Sequence, residues 1–118
     1  MKTKGIDDIL IETHNWGQSV AFWQDLGYQI EFETDHNSGR LRHPSGGPSI
    51  FIAERSADHP LQIVFGVKIS DAVSFSQPRG SKMLQPFEEQ HWPALQALIA
   101  DPDGRQLAVE APLPQGEK

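Results

Sequence analysis

Apolar and polar positions alternate along residues 8–14. Ile9, Ile11 and Thr13 take one side, and Asp8, Leu10, Glu12 and His14 take the other. A period of two is that of a strand with one buried face. The first set is expected beneath a helix, whereas two carboxylates in the second argue against full burial there. From Asn15 the period becomes helical. Val20, Trp23 and Leu26 share one stripe, with Trp16 and Phe22 at its margins. Asn15 is placed to cap the first turn, Gln18 three residues later completes a capping-box pattern, and Gly27 supplies a left-handed stop.

Three strands are expected next, over residues 29–33, 40–43 and 49–54. Between them lie a polar turn at 34–39 closed by Gly39 and the break Pro44-Ser45-Gly46-Gly47-Pro48. In the third of these strands Ile50 and Ile52 share a face, and Phe51 and Ala53 share the other. Residues 55–60 are polar, end in Pro60 and read as a linker. A second unit follows. In residues 61–69, Ile63, Phe65, Val67 and Ile69 alternate with Gln62, Val64, Gly66 and Lys68. Sliding this unit onto the first puts Val64 on Asp8 and Asp71 on Asn15, so the copies match in period and in helix cap. Pro78 and Gly80 cut the second helix to residues 72–77, too short to cover a sheet face. Residues 82–87 read as a strand. Residues 92–100 and 105–110 read as a hairpin around Asp101-Pro102-Asp103-Gly104. The shortened helix leaves Phe65, Val67 and Ile69 under-covered, which points to a homodimer.

The pattern predicts one α+β domain over residues 1–118. It contains two βαβββ modules, at about residues 5–55 and 61–111, followed by a tail at 112–118. Together they form a curled mixed sheet around a central cavity, with the second helix shortened. This order resembles the vicinal oxygen chelate superfamily, which includes glyoxalase I, extradiol dioxygenases and bleomycin-resistance proteins. The resemblance is carried by residues 19–28 (SVAFWQDLGY), close to the family's helix end. It is carried also by Trp92 nine residues before Asp101-Pro102-Asp103-Gly104. It implies a divalent metal held from the first, fourth, fifth and eighth strands. Those places hold Asp8, Phe51 (or Ala53), Val64 and Ala108. Phe, Val and Ala side chains have no lone pair, and a site needs about three protein ligands. The resemblance therefore places the chain near the bleomycin-resistance-like branch, whose members sequester ligands without a metal. No cofactor is expected.

Charge and composition narrow the classes. Net charge is −6 and cysteine is absent. The first argues against a nucleic-acid backbone as partner, and the second excludes thiol chemistry and Cys-based metal sites. No apolar run approaches the roughly 20 residues that span a bilayer, and no signal peptide is visible, so the expected compartment is the cytoplasm.

By alternation, the candidate ligand-binding residues are Asp8, Glu12, Arg40, Arg42, Phe51 and Lys68, joined by Gln96 and by Trp92, which begins a strand at the cavity rim. Such mixed polar and apolar walls suit an amphipathic or aromatic ligand, with Phe51 and Trp92 as stacking surfaces. In the empty protein, Arg40 or Arg42 is expected to pair with Glu12 or Asp8. The five histidines show no helical or strand pairing in their spacing. A metal built from His14, Glu12, Asp8 or Glu54 is the less favoured reading. No phosphate loop and no G-x-S-x-G nucleophile motif occurs. The favoured function is metal-free ligand sequestration of the antibiotic-resistance type. The alternatives are a metal-dependent lyase, isomerase or dioxygenase with an unconventional metal set, and an interaction module whose cavity its own side chains fill.

Overall fold

The computed structural model describes residues 1–114. Its elements run β1 (Ile6–Thr13), α1 (Trp16–Asp25), β2 (Gln29–Glu33), β3 (Ser38–Arg42), β4 (Ser49–Glu54), β5 (Ile63–Lys68), a 3-10 turn (Ala72–Ser74), β6 (Lys82–Glu89), β7 (Ala94–Ala100) and β8 (Gln106–Pro112). This is the α+β order expected: two βαβββ modules, the second with a stunted helix. The chain divides into two compact units, one spanning Asp7–Val64 and the other Met1–Ile6 together with Phe65 onward. Part of the expected tail, residues 115–118, lies outside the described residues.

In the first unit the strands lie in the order β2-β3-β4-β1. β1 runs parallel to β4, and the other neighbours are antiparallel, so the sheet is mixed. Ile50 and Ile52 of β4 face α1 and pack with Leu41 and Val20, flanked by Ile11, Trp16, Trp23 and Tyr28. Leu41 and Ile52 are wholly buried, and each contributes roughly 1.5–3 kcal/mol.

The start of α1 follows the capping pattern only in part. Asn15 Oδ1 accepts from the Gln18 backbone N–H at 3.0 Å. The Asn15 N–H, however, donates to Thr13 Oγ1 at 3.1 Å, so the Gln18 side chain does not close the box. Instead the Trp16 N–H donates to Glu54 Oε1 at 2.7 Å, which puts a carboxylate at the positive end of the helix. Gly27, with φ at +100°, ends it as expected. Leu26 leaves the predicted stripe. It is the C-cap, already off helical geometry, and is 53% exposed. Phe22 is exposed too, its ring edge-on to Trp23 at 5.3 Å.

The 34–39 turn differs from expectation. Asn37, not Gly39, carries the positive φ (60°), and β3 already begins at Ser38. Gly39 sits inside the strand for a different reason. A Cβ there would lie 2.5 Å from the Phe32 carbonyl oxygen and 3.0 Å from Trp16 Cη2.

In the second unit the order is β5-β8-β7-β6. Asp71 caps as predicted, its carboxylate accepting from the Ser74 N–H at 2.8 Å, but only Ala72–Ser74 form a 3-10 turn. The face expected to be under-covered is closed at two of its three residues, while Phe65 stays half-buried. Val67 and Ile69 are 6% and 2% exposed, and Ala72, Phe75 and Phe87 pack over their cluster. Two aromatic rings, edge-on at 5.4 Å, replace the missing helical turns. The β7–β8 hairpin closes through Asp101, whose side chain accepts from the Asp103 and Arg105 backbone N–H groups at 2.9 and 2.8 Å.

Candidate functional site

The face of the first sheet opposite α1 carries a row of side chains fixed by strand register. Leu10 stands opposite Phe51, Phe51 opposite Arg40, and Arg40 opposite Phe32. Ile50 and Ile52 must point at the helix, so their neighbour Phe51 must point away from it. The Phe32 and Phe51 rings lie 6.1 Å apart, tilted by 58°. The Arg40 Cζ sits 5.6 Å from the centre of the Phe32 ring, a cation–π contact. Arg40 Nε is buried and has no hydrogen-bond partner among the described residues. A guanidinium offers five donors, and an unmet buried one costs about 1–3 kcal/mol.

The remaining predicted site residues divide. Asp8 lies on the same face as Phe51, in register with the buried Ser49. Glu12 shares that face but is already engaged. Its Oε2 accepts from Arg55 Nε at 2.8 Å, and its Oε1 from the Gln62 backbone N–H at 3.1 Å. His59 Nδ1 lies 3.7 Å from the same Oε1. With its side chain 8% exposed, Glu12 fastens residues 55–62 to β1 and is not open to a ligand. The expected linker thus docks onto the first unit. Arg42 pairs at 3.2 Å with Glu31, an exposed contact beside an open groove of about 390 Å³ that Gln29 and His43 help to line. The predicted pairing of Arg42 or Arg40 with Glu12 is therefore corrected. Arg55, a residue the alternation did not single out, takes Glu12, and Glu31 takes Arg42.

In the second unit, Lys68 is exposed at the end of β5 and accepts at its backbone carbonyl from the Lys4 N–H at 3.0 Å. Gln96 stands on β7 between Glu88 and Glu110 in register. Trp92 lies before β7 rather than in it, 36% exposed, with its ring edge-on to His91 at 4.7 Å. Phe32 was missed by the sequence reading: strict alternation puts it on the face of Ile30, which stands opposite the core residue Leu41, and the register shift between Ile30 and Phe32 turns it to the face of Arg40.

The carboxylates of the less favoured metal set also have other work. Glu54 accepts from the Trp16 N–H and from Asn37 Nδ2, and His14 Nε2 contacts the His59 carbonyl at 2.8 Å. Among the described residues no three of His, Asp and Glu are grouped to hold a metal ion. No helix among them is long and apolar enough to cross a membrane.

No protein-family model matches the chain. An uncharacterized protein of Mycolicibacterium smegmatis (strain ATCC 700084 / mc(2)155) is 24% identical over 111 residues, covering 89% of this chain and 91% of that one. A glyoxalase/bleomycin resistance protein/dioxygenase superfamily member from Vibrio splendidus 12B01 superimposes with a TM-score of 0.68 at 16% identity, over 93% of this chain and 99% of the other. The chain has the glyoxalase/bleomycin-resistance/dioxygenase fold. A glyoxalase I mutant from Zea mays shares it with a TM-score of 0.64 at 15% identity, over 98% of this chain and 45% of the maize chain. At such identities the likeness concerns the fold and leaves chemistry to the residues. Of the places that the resemblance implies for metal donors, Asp8 lies in β1, Phe51 and Ala53 in β4, Val64 in β5 and Ala108 in β8. These residues do not fit a metal, since Asp8 alone among them carries a donor atom.

Proposed function

We propose that the chain is a small-molecule-binding protein that sequesters an amphipathic or aromatic ligand without a metal, in the manner of bleomycin-resistance proteins. One observation carries this reading. Where the fold would set a metal donor on β4, Phe51 stands beside Phe32 and the guanidinium of Arg40. That surface offers ring contacts and hydrogen-bond donors, which hold an organic molecule rather than a cation. The binder acts as a homodimer. The apolar surface in support of pairing is the outer face of α1, where Phe22 is 60% and Leu26 is 53% exposed. It is not the face around Val67 and Ile69, which is covered.

Melting shifts across a panel of aromatic metabolites and cationic antibiotics test the binding. At least one compound is expected to raise Tm in a saturable way, and a flat response across the panel refutes it. Elemental analysis of protein purified without chelator tests the metal-free part. Stoichiometric metal that disappears in Asp8→Ala would reverse it. Light scattering at micromolar concentration reads the dimer.

A further inference from the structure

We infer that the ligand of this face is an aromatic acid: a flat ring carrying a carboxylate, with Arg40 as the anion anchor and Phe32 and Phe51 as the ring contacts. The inference rests on the binder reading above and specifies its ligand class.

The arginines of this unit are unevenly paired. The other arginines with described side-chain contacts on this unit each have a carboxylate: Arg55 has Glu12 and Arg42 has Glu31. Arg40 has none among the described residues. Its Nε is buried without a partner among the described residues, and its Cζ lies over the Phe32 ring, 5.6 Å from the centre. A folded protein rarely strands a buried guanidinium donor. Arginine side chains suit carboxylates because their parallel N–H groups match two oxygens at once. A ligand bringing its own carboxylate supplies the partner that Arg40 lacks among the described residues.

The apolar half of the ligand is set by the same row. Leu10 and Phe51 on one side and Phe32 on the other leave the guanidinium between apolar surfaces. Water is a poor competitor for an anion in such surroundings, so the ion pair gains strength there. Phe32 is 44% exposed, on a strand whose register shifts between Ile30 and Phe32. Its ring is therefore the part of the patch best able to move aside as a ligand ring enters. A cationic ligand would meet the positive charge of Arg40 at close range, unpaired with any carboxylate among the described residues.

The test uses the full chain and four probes: 1-naphthoate, 1-naphthamide, 1-naphthylmethylamine and acetate, each titrated calorimetrically. The acid is expected to bind at least tenfold more tightly than the amide and the amine, and acetate is expected not to bind. Arg40→Met should level acid and amide while leaving the empty protein as stable as the parent or more so, because a stranded buried donor is removed. Arg40→Lys keeps the charge but not the fork, and should lose at least fivefold for the acid. Phe51→Leu should weaken acid and amide alike. If the amine or amide binds as tightly as the acid, or if Arg40→Met leaves the acid's affinity unchanged, the aromatic-acid assignment is overturned while the binder reading stands. If none of the four probes binds and the wider panel is also silent, both fall.

Discussion

At the scale of single residues, the carboxylates of this chain differ by what they hold. Glu12 is nearly buried and satisfies a guanidinium and a backbone N–H together. Removing it strands both donors. Glu12→Ala is expected to cost about 2 kcal/mol in urea unfolding, the range for charge-assisted bonds made out of water. Arg42→Ala, which breaks an ion pair with 52% and 42% of its side chains exposed, should stay within about 0.5 kcal/mol. Equal losses for the two variants would contradict this ranking. Asp101 acts on the acid side. Its carboxyl is held below the ordinary value of 3.8, first by the Arg105 backbone N–H; desolvation, the next largest effect, opposes this, and the Arg105 guanidinium and the Asp103 N–H lower it further. A depressed folded pKa contributes stability above the unfolded value and loses it as pH falls through the folded value. The Tm difference between the parent and Asp101→Asn should therefore be full above about pH 5 and shrink toward pH 2. A difference that is constant with pH would show that the charge is not what holds the turn.

At the scale of elements, two glycines make opposite predictions. Gly39 lies inside β3, where an added Cβ meets the Phe32 carbonyl at 2.5 Å. That neighbour is backbone and cannot swing away, so β2 must shift. Gly39→Ala is expected to cost about 1–3 kcal/mol, as overpacking does, and to displace Phe32 from Arg40. Gly17 lies in the first turn of α1, where the nearest atom to an added Cβ is Asn15 Oδ1 at 3.8 Å. Gly17→Ala should stabilise by roughly 0.5 kcal/mol through the unfolded chain. Thermal melts read both, and a neutral Gly39→Ala would mean that the strands are less rigidly paired than the register implies. The same glycine marks the limit of the sequence. The periods of two and 3.6 located every strand and both caps, because burial on one face writes itself into alternation. The close approach of Gly39 to β2 comes from a strand 7 residues away in the chain and leaves no local trace, so Gly39 read as a turn residue. Glu54 at the start of α1 and Arg55 on Glu12 were hidden for the same reason: each partner lies some 40 positions distant. Arg40 and Phe51 were legible as site residues through alternation alone. That Arg40 would lack a partner was not, because pairing depends on which acid the fold delivers.

At the scale of the molecule, the formal charge of −6 opposes the ligand class assigned to Arg40, and the conflict can be measured. Net charge acts at long range, through the potential an approaching ligand crosses, whereas Arg40 acts within a few ångströms. Salt separates the two. The Debye length falls from about 30 Å at 0.01 M salt to about 8 Å at 0.15 M. Over that range the repulsion felt by an incoming naphthoate is screened out, and the contact with a half-buried guanidinium is weakened much less. Its association rate constant should therefore rise roughly two- to threefold from low to physiological salt, with a smaller change in dissociation. The neutral amide, which feels neither field, should associate at a rate independent of salt. Stopped-flow quenching of tryptophan fluorescence reads both rates. An acid whose association slows as salt is added would mean that a positive field surrounds the site despite the net charge. The capture would then depend on a wider basic surface rather than on Arg40 and its two rings.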